Sequence, residues 1–192
     1  MKFVVAIITS LLITSVSYSQ LAEDYYIRAN AKHDLREYQA AILYYDKAIA
    51  IDSLYIKAYI RRGIAKTEIK DYNGAILDFT KAIKTDSANI EAYTNRADLF
   101  YLIRHYNQAI ADYDKAIEMI PNDEKLLTNR GYIKIESGDY PGAVSDFSKI
   151  LEINPNNASA YNNRAVAKSK LPDHKGRAIA FKKNKINTLT KG

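Results

Sequence analysis

The chain of 192 residues has no cysteine. Disulfides are thereby excluded, and so is an anchor attached to a lipid-modified N-terminal cysteine. Its seven glycines form no Gly-rich loop ahead of a helix, which leaves no cradle for a phosphate. The three histidines, His33, His105 and His174, lie far apart, and none has a second ligand at helical i, i+4 spacing. They read as surface histidines rather than metal ligands. No apolar run reaches the roughly 20 residues that a membrane-spanning helix requires. No nucleophile, base or paired carboxylate constellation stands out either. The chain therefore reads as non-enzymatic, with no metal and no cofactor.

What it does have is a repeat. Asn95-Arg96-Ala97, Asn129-Arg130-Gly131 and Asn163-Arg164-Ala165 are spaced by 34 residues, and Arg61-Arg62-Gly63 fills the same slot one period earlier. A fixed period in this range marks a repeat array. Stacked at that period, a small residue falls at Ala29, Gly63, Ala97, Gly131 and Ala165. Aromatics fall at Tyr38, Tyr72, Tyr106 and Tyr140, and again at Tyr45, Phe79, Tyr113 and Phe147. Alanines recur at Ala41, Ala75, Ala109 and Ala143, then at Ala48, Ala82 and Ala116, with Ile150 as the exception.

Each repeat carries two apolar patterns of helical period, split by a polar break such as Lys70-Asp71 or Ser137-Gly138-Asp139. Turn-formers join the repeats: Asp52-Ser53, Asp86-Ser87, Pro121-Asn122-Asp123 and Asn154-Pro155-Asn156-Asn157. Their Asp, Asn and Ser side chains are expected to cap the following helix. The small residue suits a close helix crossing, with the aromatics filling the space between helices. One such pair cannot bury its own apolar face, so neighbouring pairs must stack.

With these residues the chain resembles the tetratricopeptide repeat family, over about residues 22–170. The resemblance implies an all-α fold: a right-handed α-solenoid of stacked antiparallel helix pairs, in four to five repeats. Repeats are expected near 22–55, 56–89, 90–123 and 124–157, with a partial fifth from 158. With the small residue at position 8, positions 4, 8, 20, 24 and 27 match in most repeats. Leu127 at position 4, Ile150 at position 27 and the loss of pattern after Leu171-Pro172 depart from it.

The ends differ from the array, which spans 20–173. Residues 1–19 combine Lys2, a mostly apolar stretch over 3–13 and small residues at Ser17 and Ser19. That is the form of a secretory signal cleaved before Gln20. It predicts export, to the periplasm or outside a bacterial cell. From residue 166 onward, eight basic residues face Asp173 alone, whereas the preceding array is nearly neutral. The segment 174–192, with Lys175, Arg177, Lys182, Lys183 and Lys185, reads either as a contact for an anionic surface or polymer or as a solvated cap on the last repeat.

Two further ladders follow the period. Asp78, Asp112 and Asp146 precede Lys81, Lys115 and Lys149 by three residues, which predicts exposed ion pairs along the second helices. Arg62, Arg96, Arg130 and Arg164 are expected along the seam between repeats, with their alkyl stems packed. Ten of the sixteen tyrosines, Tyr161 among them, fall in recurring packing slots. Tyr26, Tyr101 and Tyr132 fall outside those slots.

In the family the first helices line a groove that holds a peptide or partner helix. Its groove positions are 2, 5, 6, 9, 12 and 13. Carried over, they mark Tyr26, Asn30, Lys57, Arg61, Asn95, Asp98, Tyr101, Lys125, Asn129, Tyr132 and Asn163. The position-6 asparagines either bond an extended main chain, since each amide both donates and accepts, or bridge neighbouring first helices. The chaperone-binding members clamp a C-terminal carboxylate. Asn30 matches that set, but Tyr26 and Arg61 replace its Lys and its second Asn. The expected function is a scaffold binding a protein or peptide segment in this groove. The alternative is an anionic-surface binder acting through the basic tail. Nucleic acid is not expected, and oligomeric state is left open.

Overall fold

A computed structural model describes residues 2–172, with side chains from residue 18 onward. Among the described residues the chain is all-α, with α1 (Lys2–Asp34), α2 (Tyr38–Ile51), α3 (Ile56–Glu68), α4 (Tyr72–Thr85), α5 (Ile90–Leu102), α6 (Tyr106–Met119), α7 (Glu124–Ser137), α8 (Tyr140–Ile153) and α9 (Ala158–Lys170). The chain divides into two compact units, Met1–Asp123 with α1 to α6 and Glu124–Gly192 with α7 to α9. The first holds repeats one to three. The second holds repeat four and the first helix of repeat five. Helix α1 is continuous across the boundary expected near residue 20. No helix among the described residues is long and apolar enough to cross a membrane.

The breaks inside each repeat share one backbone device. Arg36, Lys70, Arg104 and Gly138, all at position 15, adopt left-handed φ angles of 60°, 64°, 61° and 85°. The first three tolerate a conformation that glycine takes without cost. In their turns the N–H of the next residue bonds back into the helix, from Asp71 to Lys66 and from His105 to Phe100. Asp71 and Asp139 then cap α4 and α8 by accepting from the Gly74 and Gly142 N–H groups. Asn89 and Asn157 cap α5 and α9 in the same way. Asp52 and Asp86, expected as caps of the next helix, instead close the preceding one. Their carboxylates accept from Leu54 and Ala88 N–H in two-residue turns.

The recurring small residues and aromatics form the core. Ala29, Ala41, Tyr45, Ala48, Ala75, Phe79, Ala82, Ala97, Ala109, Tyr113 and Ala116 are buried in the N-terminal unit, as are Ala143, Phe147 and Ile150 in the C-terminal unit. Positions 8 and 24 are matched pair by pair. Where position 24 is Phe, position 8 is Gly: a Cβ on Gly63 would sit 2.7 Å from the Phe79 ring, and one on Gly131 2.8 Å from the Phe147 ring. Where position 24 is Tyr, position 8 is Ala, and the hydroxyl finds an acceptor at position 9. Tyr45 donates to Asn30 Oδ1 at 2.7 Å and Tyr113 to Asp98 Oδ1 at 2.5 Å. A buried phenol needs that acceptor and a phenylalanine does not. The odd and even repeats thus use two variants of one joint. Tyr161, expected in a packing slot, is 49% exposed.

The ladder expected on the outer face of the second helices is absent. Asp78, Asp112 and Asp146 are 3%, 5% and 3% exposed. Each is gripped from the first helix of its own repeat. Arg62 Nε and Nη2 donate to the two Asp78 oxygens at 2.8 and 2.5 Å, Arg96 to Asp112 at 2.7 and 2.7 Å, and Arg130 to Asp146 at 3.0 and 2.5 Å. Lys66 and Lys134 add a second cation to Asp78 and Asp146 at 2.9 and 3.0 Å. The third guanidinium nitrogen reaches the preceding repeat: Arg62 Nη1 meets Asp46 at 2.6 Å, Arg96 Nη1 meets Thr80 at 2.8 Å, and Arg164 Nη1 meets Ser148 at 3.4 Å. The arginines therefore do lie along the seam, but through both polar edges of the fork as well as the stem. Sequence spacing along one helix pointed to the wrong cation, because the true partner lies sixteen residues back across the helix pair.

Gly63→Ala tests the matched joint. Overpacking a filled core costs about 1–3 kcal/mol, and the better helix propensity of alanine returns about 1 kcal/mol of that. Urea unfolding should show a net loss of stability. A Gly63→Ala chain as stable as the parent would contradict the close contact with Phe79.

Candidate functional site

Within the N-terminal unit, α3 contacts both α1 and α5. The first helices thus lie side by side, and their family groove positions converge. A cleft of about 220 Å3 is lined by Tyr26 of α1, Lys57, Ile60 and Arg61 of α3, and Glu91 of α5. One turn further along α3 a second cleft, of about 380 Å3, opens between α3 and α5. Its α3 wall is Ile64, Thr67 and Glu68, its α5 wall Asn95, Asp98, Leu99, Tyr101 and Leu102, and Phe79 lies at its floor.

Six of the residues named from sequence therefore line these two clefts: Tyr26, Lys57, Arg61, Asn95, Asp98 and Tyr101. Their surroundings differ. Tyr26 is half-buried and packs its ring 5.1 Å from Tyr55 and 5.9 Å from Tyr45. The Tyr55 hydroxyl donates to Glu23, tying α1 to the N-terminal end of α3. Tyr101 is 41% exposed, beside Leu102 at 56%. Asn95 donates to the Glu91 carbonyl of its own helix at 2.7 Å, and Asp98 accepts from Tyr113. Asn30 is occupied by the Tyr45 hydroxyl and lines neither cleft.

Lys125, Asn129, Tyr132 and Asn163 belong to the C-terminal unit. There Asn163 Nδ2 donates to the Tyr132 hydroxyl at 2.8 Å, linking α9 to α7, and the Tyr132 ring stands edge-on to Phe147 at 5.9 Å. At that position the asparagine bridges adjacent first helices. Lys125 is exposed and Asn129 is half-buried. Lys175, Arg177, Lys182, Lys183 and Lys185 lie outside the described residues.

Sequence reasoning passed over Ile60, Ile64, Thr67, Glu68, Glu91 and Leu102. They occupy positions 5, 9, 12, 13, 2 and 13, so the family's own position rule contained the signal. Leu99 and Phe79 escaped for another reason: they belong to the core and reach the cleft only where α3 and α5 diverge. A different departure marks the first repeat. Tyr44 replaces the position-23 aspartate, its ring lies 6.4 Å from Tyr25, and Lys47 sits over both rings at 5.3 and 5.4 Å.

The charges of the site fall into two classes. The seam arginines Arg62, Arg96 and Arg130 are each held by a carboxylate. Burial acts to lower the Arg62 pKa, but its hydrogen bond and charge interaction with Asp78, then those with Asp46, outweigh burial and hold it above the ordinary value. Lys57, Arg61 and Glu68, in contrast, make no ion pair with any described residue. Among the described residues no group of three or more His, Asp or Glu side chains is placed to hold a metal ion. His33, expected at the surface, is half-buried with its ring 5.3 Å from Tyr38.

Comparison with known proteins agrees with the repeat geometry. Models described as "Tetratricopeptide repeat" match residues 22–53, 56–89 and 90–123, and one described as "TPR repeat" matches 131–171. A tetratricopeptide repeat protein from Parabacteroides merdae superposes with a TM-score of 0.73 at 23% identity, over 79% of this chain and 60% of that one. YrrB, a TPR protein with an unusual peptide-binding site, gives 0.62 at 24% identity, over 82% and 90%. The first TPR of Spaghetti (RPAP3), bound to the HSP90 peptide SRMEEVD, gives 0.59 at 22% identity, over 62% and 95%. At these identities the likeness shows the fold. A search of curated proteins finds no match to this sequence.

The joint beneath Asn30 has a pH signature. Tyr45 is fully buried, and burial, followed by the neighbouring Tyr26, pushes its phenol well above the ordinary value of 10.0. A group whose pKa is raised on folding contributes stability that is complete below its unfolded pKa. That contribution falls as pH rises beyond it. The stability of the parent should therefore drop between pH 9 and 11.5 by more than that of Tyr45→Phe, as followed by urea unfolding. Equal losses in the two chains would refute the buried phenol.

Proposed function

The chain belongs to the tetratricopeptide repeat family, and on that premise we propose that it is a non-enzymatic scaffold binding a protein or peptide segment along α3 and α5. The observation that carries this is the pair of clefts over consecutive turns of α3, the second walled by exposed Tyr101 and Leu102, with Lys57, Arg61 and Glu68 making no ion pair with any described residue. Aromatic and aliphatic anchors in a concave site, flanked by a few polar groups, are what peptide recognition uses. The family and the peptide-binding character of two of its solved relatives support the same reading. A clamp for a C-terminal carboxylate of the chaperone-tail kind is disfavoured, because Asn30 is already committed to Tyr45.

The scaffold is further proposed to act after export, in the cell envelope or outside the cell. That rests on the charge and apolar pattern of residues 1–19. The basic tail, lying outside the described residues, gains no support for an anionic-surface function.

Affinity capture from envelope and secreted fractions, with the chain beginning at Gln20, tests both parts. A captured partner should be lost from the Tyr101→Ala, Leu102→Ala double variant, at about tenfold or greater weakening. It should be retained by Leu43→Ala, Leu77→Ala, which alters exposed leucines of the second helices. Equal capture by both variants would contradict the groove. N-terminal sequencing of the native protein should begin at Gln20, and a start at Met1 would overturn the export reading.

A further inference from the structure

Resting on that groove reading, we propose that the groove of the N-terminal unit is bipolar. The structure assigns it an extended segment with an acidic, a large apolar and a basic side chain at alternate positions. Four side chains of α3 form one stripe along the groove: Lys57, Arg61, Ile64 and Glu68. In order along the helix they present two cations, an apolar side chain and an anion. The stripe lines both clefts, Lys57 and Arg61 the first, Ile64 and Glu68 the second.

The opposing walls keep that polarity. Among the described residues that line the first cleft, Glu91 is the one carboxylate beside the two cations. The second cleft holds Glu68 and Asp98 with no Lys or Arg in its lining. Leu99 and Leu102 of α5 line this second cleft together with Ile64. Lys57, Arg61 and Glu68 make no ion pair with any described residue, whereas Arg62, Arg96 and Arg130 are each held by a carboxylate. Charge that stabilises nothing internally, sorted by sign along a concave apolar surface, is what complementary recognition requires.

Length fixes the ligand's spacing. From the midpoint between Lys57 and Arg61 to Glu68 is nine residues of helix, about 13 Å at 1.5 Å per residue. An extended chain rises about 3.3 Å per residue and presents every second side chain to one face. Four residues therefore span the same distance. Its side chains at i, i+2 and i+4 meet the cations, the apolar side chain of Ile64 and the Glu68 carboxylate in turn. Two acidic groups or two basic groups flanking the apolar anchor would set one of them against like charge.

The probe is a displayed random seven-residue library. It is selected on the parent chain, on the swapped variant Arg61→Glu, Glu68→Arg, and on the Tyr101→Ala, Leu102→Ala variant. Both swapped positions are exposed and make no ion pair with any described residue, so the swap preserves the fold, which circular dichroism checks. The parent should enrich peptides with one acidic and one basic residue four apart around a large apolar residue. A synthetic peptide of that consensus should bind the swapped variant about tenfold more weakly. Enrichment that ignores charge, or binding unchanged by the swap, overturns the bipolar groove while leaving the groove itself in place, provided the Tyr101, Leu102 variant loses it. No enrichment on any of the three overturns both.

Discussion

The interaction on which the rest depends is the fork between the arginine of each first helix and the aspartate of the second. At Arg62–Asp78, Arg96–Asp112 and Arg130–Asp146 two parallel N–H groups meet two carboxylate oxygens beneath a nearly closed surface. Both charges lose water there, so the contact is favourable only in one geometry. That geometry sets the register of the two helices within a repeat. The remaining guanidinium edge, on Asp46 or Thr80, sets the register against the repeat before it. Matched pairs of small residue and aromatic ring then determine how closely the helices approach.

The groove follows from the same arrangement. Because position 7 points into the seam, position 6, one residue back, points out of it towards the neighbouring first helix. Arg62 is held by carboxylates on both sides, while Arg61 lines a cleft and makes no ion pair with any described residue. Adjacent arginines thus serve opposite ends, one spent on cohesion and one available to a ligand. The left-handed turns at position 15 contribute by returning each second helix under the first, so that α1, α3 and α5 form a continuous face in the N-terminal unit.

Much of the fold was legible before any coordinates. A 34-residue period, small residues at position 8 and aromatics at position 24 located the helix pairs close to where they lie, since each depends on packing that repeats with the sequence. What escaped was pairing between helices. Asp78 with Lys81 is visible along one helix, whereas Asp78 with Arg62 requires knowing how two helices face one another. The groove positions were legible only through the family, and even so Asn30 was placed there without its bond to Tyr45 being foreseen. That bond exists because position 24 of the same repeat is tyrosine rather than phenylalanine, a local coupling that a position rule averages away. Left-handed Lys70 and Arg104 were illegible for a related reason: only Gly138 announces that conformation in its residue type.

The most direct test of this account is a double-mutant cycle on Arg96 and Asp112, with Arg96→Ala, Asp112→Ala and the double variant unfolded in urea. A fork that sets helix register should give a coupling energy of about 2–3 kcal/mol, well above the about 0.2–0.5 kcal/mol typical of an exposed pair on a helix surface. A coupling no larger than that of the exposed pair would contradict the account, and the assembly of the repeats would then have to rest on apolar packing alone.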